Sequence, residues 1–297
     1  MNGTYSNETI KLLTERASCR VFKDKAIPAS VLKQLFEVGT HAPTGGNLQP
    51  FSIIKITNKT VKKKLAKMCG QAFIGQAPVD LLFCIDWYRL KRWAQLEAAP
   101  YSATASFRHF WISIQDTVIA AQNICTAADA LGLGSVYIGT VLEYFRELKK
   151  MFDLPEGVFP VVLLCLGYPK GKPQVRRKLP IEMIVHEEKY QPRSDEEILA
   201  AFDSKYPDVK IQITQERLDT IAEVCRIVSG EKFARHCLAR IEKQGYINMA
   251  QRYFGLHYFA SFMPLGNHDY LKIFGEYGFS WFKKWNREKY SPCKNEH

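Results

Sequence analysis

The chain lacks most of the short signals that announce a chemistry. Its eight cysteines, at 19, 69, 84, 125, 165, 225, 237 and 293, include no CxxC, and the closest two are twelve residues apart. That excludes the local zinc and redox-motif spacings. Cys84 and Cys165 lie in the apolar runs VDLLFCID and FPVVLLCLG, where a free thiol behaves as a small core hydrophobe. The seven histidines form neither HExxH nor an i,i+4 pair, so no metal site is expected. GxxxxGK(S/T) and GxSxG are absent, which removes the main support for Walker-type hydrolysis and for esterase chemistry. The longest apolar run, Phe159–Leu166, is far short of the roughly 20 residues that span a bilayer. The opening MNGTYSNETIKLL has no basic segment followed by a long apolar stretch. The expectation is a cytoplasmic protein with no membrane partner, in which the sequons at Asn2, Asn7 and Asn58 are chance matches.

What is present is ordinary globular material: 297 residues, 46% hydrophobic, 24% charged, with a formal charge of +11. This length suits one large domain or a domain with an appendage. The positive charge raises nucleic-acid binding as a class. The basic residues, however, cluster separately at 62–64, 170–178 and 283–289 with acidic residues between them, and no zinc-finger or ribonucleoprotein motif accompanies them. Solvated faces account for such clusters, and an anionic small ligand is the better alternative for the middle one.

Apolar spacing predicts helices at 8–17, after Pro28, at 61–69, at 107–131 and at 142–152. Strands are predicted at 51–57, 79–86, 135–139 and 159–167. The alternation implies an α/β or α+β core. Ser194 and Glu197 form a capping box opening a helix over 195–202, and amphipathic helices follow near 216–228 and 231–243, with no strand signal in that region. Residues 246–290 hold 14 of the chain's 37 Phe, Tyr and Trp. Such density argues for a segment wrapped over another surface. Gly132-Leu133-Gly134 follows a helix and precedes a strand, the reverse of a dinucleotide fingerprint, so it reads as a helix C-cap.

The remaining motifs are short and distributed. Arg16, Ser18 and Arg20 place two guanidiniums and a hydroxyl where a helix ends, which suits a phosphate because the planar fork bonds two oxygens at once. Thr44, Asn47 and Gln49 lie in a glycine-bearing loop that runs into a strand and could read the edge of a planar heterocycle. Arg176 and Lys178 add a second cationic cluster after a core strand. Each also reads as a plain surface turn or loop.

In this order, ERASCRVF (15–22), APTGGNLQPF (42–51), IQDTVIAAQNICTAADALGLGSVYIG (114–139) and LGYPKGKP (166–173) resemble the FMN-dependent nitroreductase family. GQAFIGQAPVDLLFCIDWYR (70–89) and RKLPIEMIVHEEKY (177–190) are similar to its larger, NADPH-preferring, oxygen-insensitive subgroup. The resemblance implies an α+β homodimer with a mixed sheet flanked by helices and an FMN site built from both chains. It spans roughly residues 8–205 and places an FMN-binding domain at 1–190; the helical, aromatic-rich extension 191–297 is expected to pack on the dimer, because so much aromatic surface is not left wet.

By position, Arg16, Ala17, Ser18 and Arg20 match the segment that holds the phosphate and the pyrimidine side of the ring. Thr44, Asn47 and Gln49 match the loop given by the other subunit, and Gln71 matches a further ring contact. Tyr137, Ile138, Gly139 and Thr140 match the turn whose amides lie over the flavin, and Arg176 and Lys178 match the basic pair closing on the phosphate. The implied activity is ping-pong transfer of two electrons from NADPH or NADH to nitroaromatics, quinones or flavins. Arg20 would stabilise the charge of the reduced flavin and the Gly139 amide would face its reacting edge. Ala17, Thr140 and Lys178 depart from the family pattern, and Lys178 offers a point charge in place of a fork.

Two other classes stay open: a flavin-cleaving or dehalogenating enzyme on the same scaffold, and a non-enzymatic FMN or nucleic-acid binder. The aromatic stretch 87–111 reads either as a lid over the substrate pocket or as a helix pair packed on the core.

Overall fold

The computed structural model describes residues 5–285. They divide into two units, one built from the chain up to Val175 together with the segment from Asp269 onward, the other from Arg176–His268.

The first unit contains, in order, α1 (Glu8–Glu15), α2 (Ala29–Thr40), β1 (Phe51–Ile56), α3 (Lys59–Met68), α4 (Ala72–Gln76) and β2 (Val79–Asp86). It continues with α5 (Trp87–Leu96), α6 (Phe107–Ala130), β3 (Gly134–Ile138), α7 (Phe145–Met151) and β4 (Val158–Gly167). The expected elements are all present, β2 with the expected bounds and the others with shifted ends. The first helix stops at Glu15, two residues early, where Arg16 turns extended at ψ 131°. The helix expected over 142–152 begins only at Phe145, because a 3-10 turn occupies Thr140–Glu143.

The strands form an antiparallel sheet in the order β1-β2-β4-β3. All eight residues of β2 are buried, since both faces of the sheet are covered. On one face α2 and α6 supply Leu32, Leu35, Ala121, Ile124 and Ala128 against Leu81, Phe83, Leu164 and Leu166. On the other, Leu65 of α3, Ile74 of α4 and Leu148 of α7 meet Leu82, Cys84, Leu163 and Cys165. Pro160 lies in β4 where the β2 register slips between Phe83 and Cys84, the kind of irregularity that tolerates a missing donor.

The tail of this unit enters the second of these cores. Tyr277 and Phe279 are fully buried, and Phe110, Phe159, Phe274 and Trp281 pack edge-on or tilted around them. The stretch 87–111 is anchored at its first residue: Trp87 is buried, donates its indole N–H to Ser113 Oγ at 2.9 Å, and its ring meets Tyr101 and His109. Trp93 and Leu96, by contrast, are exposed. Lys62 corrects the expectation of a wholly solvated basic cluster. It is 5% exposed, and its ammonium donates to the carbonyls of Ala77 and Pro78. Of the last basic cluster, 286–289 lie outside the described residues, as do Tyr290 and Cys293.

The second unit is helical, with α8 (Asp195–Lys205), α9 (Gln215–Ser229), α10 (Glu231–Gln244) and α11 (Met249–Arg252). The Ser194–Glu197 capping box is formed in both directions. Ile221, Cys237, Ile241 and Ile247 make its core. One bridge, Ile211 to Ile247, stands where no extended pairing was expected. The chain leaves through α12 (Asn267–Glu276), whose first turn holds the unit boundary. Among the described residues, no helix is long and apolar enough to cross a membrane.

Candidate active site

The edge strand β3 organises the candidate residues of the first unit. Its outer edge is followed by the chain after α1: the Cys19 amide donates to the Ser135 carbonyl at 2.9 Å, and Phe22 bridges Pro169. This approach requires glycine at 134, because a Cβ there would lie 2.5 Å from Cys19 Cβ. Arg16 is thereby laid over the start of β3. Its Nη2 donates to Ser135 Oγ at 3.3 Å, and its guanidinium sits 5.9 Å from the Tyr137 ring centre. Its Nε faces Asp129 Oδ2, at the end of α6, at 3.7 Å.

That ion pair is loose, since neither Arg16 Nε nor Asp129 Oδ2 has a hydrogen-bond partner although both are buried. Burial pushes the Asp129 carboxyl up to about 6, with Arg16 pulling it back, and burial also raises the Tyr137 phenol. Arg16, Ala17, Asp129, Gly134 and Lys172 help line a cavity of about 910 Å³ between α1 and the end of α6. Ser18 is half-buried and Arg20 exposed.

At the other end of β3, Ile138 is buried, Tyr137 and Thr140 are half-buried, and Gly139 faces outward. Gln71, which precedes α4, donates Nε2 to Thr140 Oγ1 at 3.0 Å. Gly139 adopts φ −81°, ψ −25°, a conformation open to any residue. A Cβ there would meet nothing within 4 Å, so neither backbone nor packing inside the chain requires glycine. From Ser135 to Ile138 the strand advances about 10 Å at ~3.4 Å per residue.

The loop 42–51 holds an unusual backbone: Gly46, Asn47 and Gln49 have φ of 61°, 54° and 48°. Strain of this kind persists where the surroundings over-determine it. The Gly45 amide donates to both oxygens of Asp116 at 3.1 Å, Thr44 Oγ1 accepts from the Gln49 amide at 3.2 Å, and Gln49 Nε2 donates to the Thr40 carbonyl at 2.7 Å. Arg89 donates to the carbonyls of Gln49 and Phe51 at 2.8 and 3.0 Å and pairs with Asp86. Asn47 is exposed at the tip. Gln49 is thus spent on the loop itself, leaving Asn47 as its outward amide.

The structure therefore joins Arg16 to Tyr137, Gln71 to Thr140, and Thr44 to Gln49, all in the first unit. Arg176 and Lys178 belong to the second unit, where both are exposed on an irregular segment. Sequence reasoning missed Asp116, Asp129 and Arg89. The signal available for Asp116 was a carboxylate on the buried face of α6, which needs a partner. Among the described residues, no three His, Cys, Asp or Glu side chains gather as a metal site.

Residues 13–168 match the profile of the nitroreductase family. The chain is 30% identical over 240 residues to an oxygen-insensitive NADPH nitroreductase of Salmonella typhimurium, covering 80% of this chain and 98% of that protein. It is 36% identical over 186 residues to an FMN reductase (NAD(P)H) of Bacillus subtilis, covering 62% and 75%. Its fold is similar to that of the NADPH:FMN oxidoreductase of Vibrio harveyi solved with NAD+, at a TM-score of 0.62 and 29% identity over 80% of this chain and 98% of that one. A mixed helix–sheet oxidoreductase scaffold is thus the class. The chain belongs to the nitroreductase family.

Proposed function

We propose that the chain is a cytoplasmic, homodimeric FMN-dependent oxidoreductase that moves two electrons from NAD(P)H to nitroaromatics, quinones or flavins in ping-pong order. The observation carrying this reading is Gly139: an outward glycine with an ordinary backbone and open space where its side chain would be. A planar group lying against the turn explains a glycine that the fold does not need. The named relatives, an NADPH nitroreductase and an FMN reductase, support the choice of group.

The residues fit that group. Arg16 and Arg20 supply guanidiniums for a phosphate and Ser18 a hydroxyl; Arg16 lines a cavity, and its buried Nε has no hydrogen-bond partner. Gln71 and the amides at Gly139 and Thr140 offer donors for the edge of a heterocycle, and Asn47 serves the same site from a second copy, on a loop that Thr44 and Gln49 hold in shape. FMN, when bound, supplies the acceptance of hydride and its return to an electron-poor acceptor. The protein's part is to bind, orient and stabilise charge, and the role of balancing the added negative charge falls to Arg20. No side-chain acid or base is assigned. Exposed apolar residues on α1, α2 and α6, among them Leu13, Val38, Val118 and Ile119, support pairing with a second copy.

The test is an absorbance spectrum of the purified full chain, followed without oxygen by NADPH and then menadione. Flavin bands near roughly 370 and 450 nm should bleach with the first and return with the second. A colourless protein that cannot be reconstituted with FMN overturns the reading.

A further inference from the structure

Three features hold the Arg16 guanidinium: the Ser135 hydroxyl at 3.3 Å, the Tyr137 ring at 5.9 Å and the Asp129 carboxylate at 3.7 Å. The first two are neutral and position the side chain without opposing an anion. The third carries charge, lines the same cavity as Arg16, and leaves its Oδ2 without a hydrogen bond. A dianionic ligand reaching Arg16 must share it with this carboxylate.

We propose that Asp129 is a positioning residue that acts through Arg16: it steers the guanidinium over β3 in the absence of ligand and limits the hold of that guanidinium on the FMN phosphate. The inference rests on the FMN reading above. It makes cofactor retention adjustable, because neutralising Asp129 leaves Arg16 in place on Ser135 and Tyr137 with its whole charge available. An amide at 129 fills the same space beside Arg16 Nε, and Ser135 and Tyr137 keep the guanidinium over β3 while the opposing charge goes.

The groups facing Asp129 are few. Arg16 and Cys19 face it from the segment after α1, Tyr137 from β3, and Cys125 stands one turn back on α6. Around the cavity stand Glu8, Lys11 and Glu15 of α1 and Lys172. None is a histidine, and with Asp129 raised to about 6, its own ionisation falls near neutrality. A phosphate brought close raises it further, since like charge disfavours the ionised form.

The experiment measures FMN dissociation from the full-length holoenzyme by flavin fluorescence on dilution, from pH 5 to pH 8, for the wild type and Asp129→Asn. The variant should hold FMN about tenfold more tightly at pH 8, and the ratio of the two Kd values should fall towards one at pH 5. Free FMN ionises at its phosphate near pH 6 in both titrations, so the ratio of the two Kd values cancels that step and keeps only what depends on residue 129. Riboflavin, which has no phosphate, should bind both proteins alike. Asp129→Glu, which keeps the charge, should restore the wild-type profile and covers the case in which Asp129→Asn folds poorly. A ratio that does not change with pH, weaker FMN binding by Asp129→Asn, or an equal change for riboflavin overturns the proposal. Failure of the wild type to bind FMN at any pH overturns instead the cofactor reading on which it rests.

Discussion

Gln71 donates its side-chain amide to the Thr140 hydroxyl at 3.0 Å, and this bond ties the residue before α4 to the turn that ends β3. The two residues are far apart in the chain, and Thr140 opens the 3-10 turn leading to α7. Removing either partner should loosen the turn. We expect Gln71→Ala and Thr140→Ala each to destabilise the protein by about 1 kcal/mol. The double variant should cost less than the sum, with a coupling of about 0.5–1 kcal/mol in urea denaturation. Strict additivity would show that the bond contributes nothing.

The two glycines at the ends of β3 should behave in opposite ways. Gly134 lies against Cys19, and a Cβ there would stand 2.5 Å from that side chain, so Gly134→Ala should destabilise by several kcal/mol through forced displacement of a packed segment. Gly139 has open space and an ordinary backbone, so Gly139→Val should leave the thermal midpoint of FMN-free protein within a few degrees of wild type. Its effect should appear in FMN binding, weakened tenfold or more by a branched side chain in the path of the ring. Unchanged FMN affinity in Gly139→Val would refute the placement of the flavin against this turn.

Much of the scaffold was legible because its signals are local. β2 is a short apolar run between turn signals and is buried throughout. The capping box at Ser194 and Glu197 declares itself in four residues. Other features depend on contacts distant in sequence. No spacing rule links Arg16 to Asp129 and Ser135, or Gly45 to Asp116, because β3 and α6 bring them together only after the sheet has formed. Lys62 was misread for the same reason: its neighbours Lys63 and Lys64 are exposed, while its own ammonium reaches carbonyls beyond α4. The aromatic tail was legible as packed. Only the structure separates Tyr277 and Phe279, which complete the core beside Phe159, from Tyr253, Phe254 and Phe262, which stay exposed in the second unit.

The tail should accordingly be indispensable to the first unit. The Tyr277 hydroxyl donates to the Phe145 carbonyl at 2.6 Å, and Phe279 is 1% exposed in the same cluster. Phe279→Ala should cost about 3–5 kcal/mol through the cavity it leaves. Tyr277→Phe, which removes that bond, should cost about 0.5–1.5 kcal/mol. Loss of less than 1 kcal/mol in Phe279→Ala, measured by urea denaturation, would mean that the tail is not part of the core.

The last prediction concerns Asp80, a carboxylate at 0% exposure on β2 whose two oxygens have no hydrogen-bond partner. Burial pushes it up to about 7 from its ordinary 3.8, with Cys165 and Lys62 pulling it back. The folded protein therefore holds this proton where the unfolded chain has lost it. Below about pH 4 both states are protonated and Asp80 costs nothing; between about pH 4 and 7 stability falls as pH rises; above 7 the full penalty applies, on the order of a few kcal/mol. Asp80→Asn cannot ionise, and Lys62 keeps the carbonyls of Ala77 and Pro78 as partners. Asp129 contributes with the same sign over a lower window, but it is common to both proteins and cancels in the comparison. Urea denaturation at pH 4.5 and pH 8 should show Asp80→Asn gaining on the wild type by more than 1 kcal/mol between the two. Parallel profiles would mean that Asp80 is ionised throughout, held by a partner stronger than Lys62 at its present position.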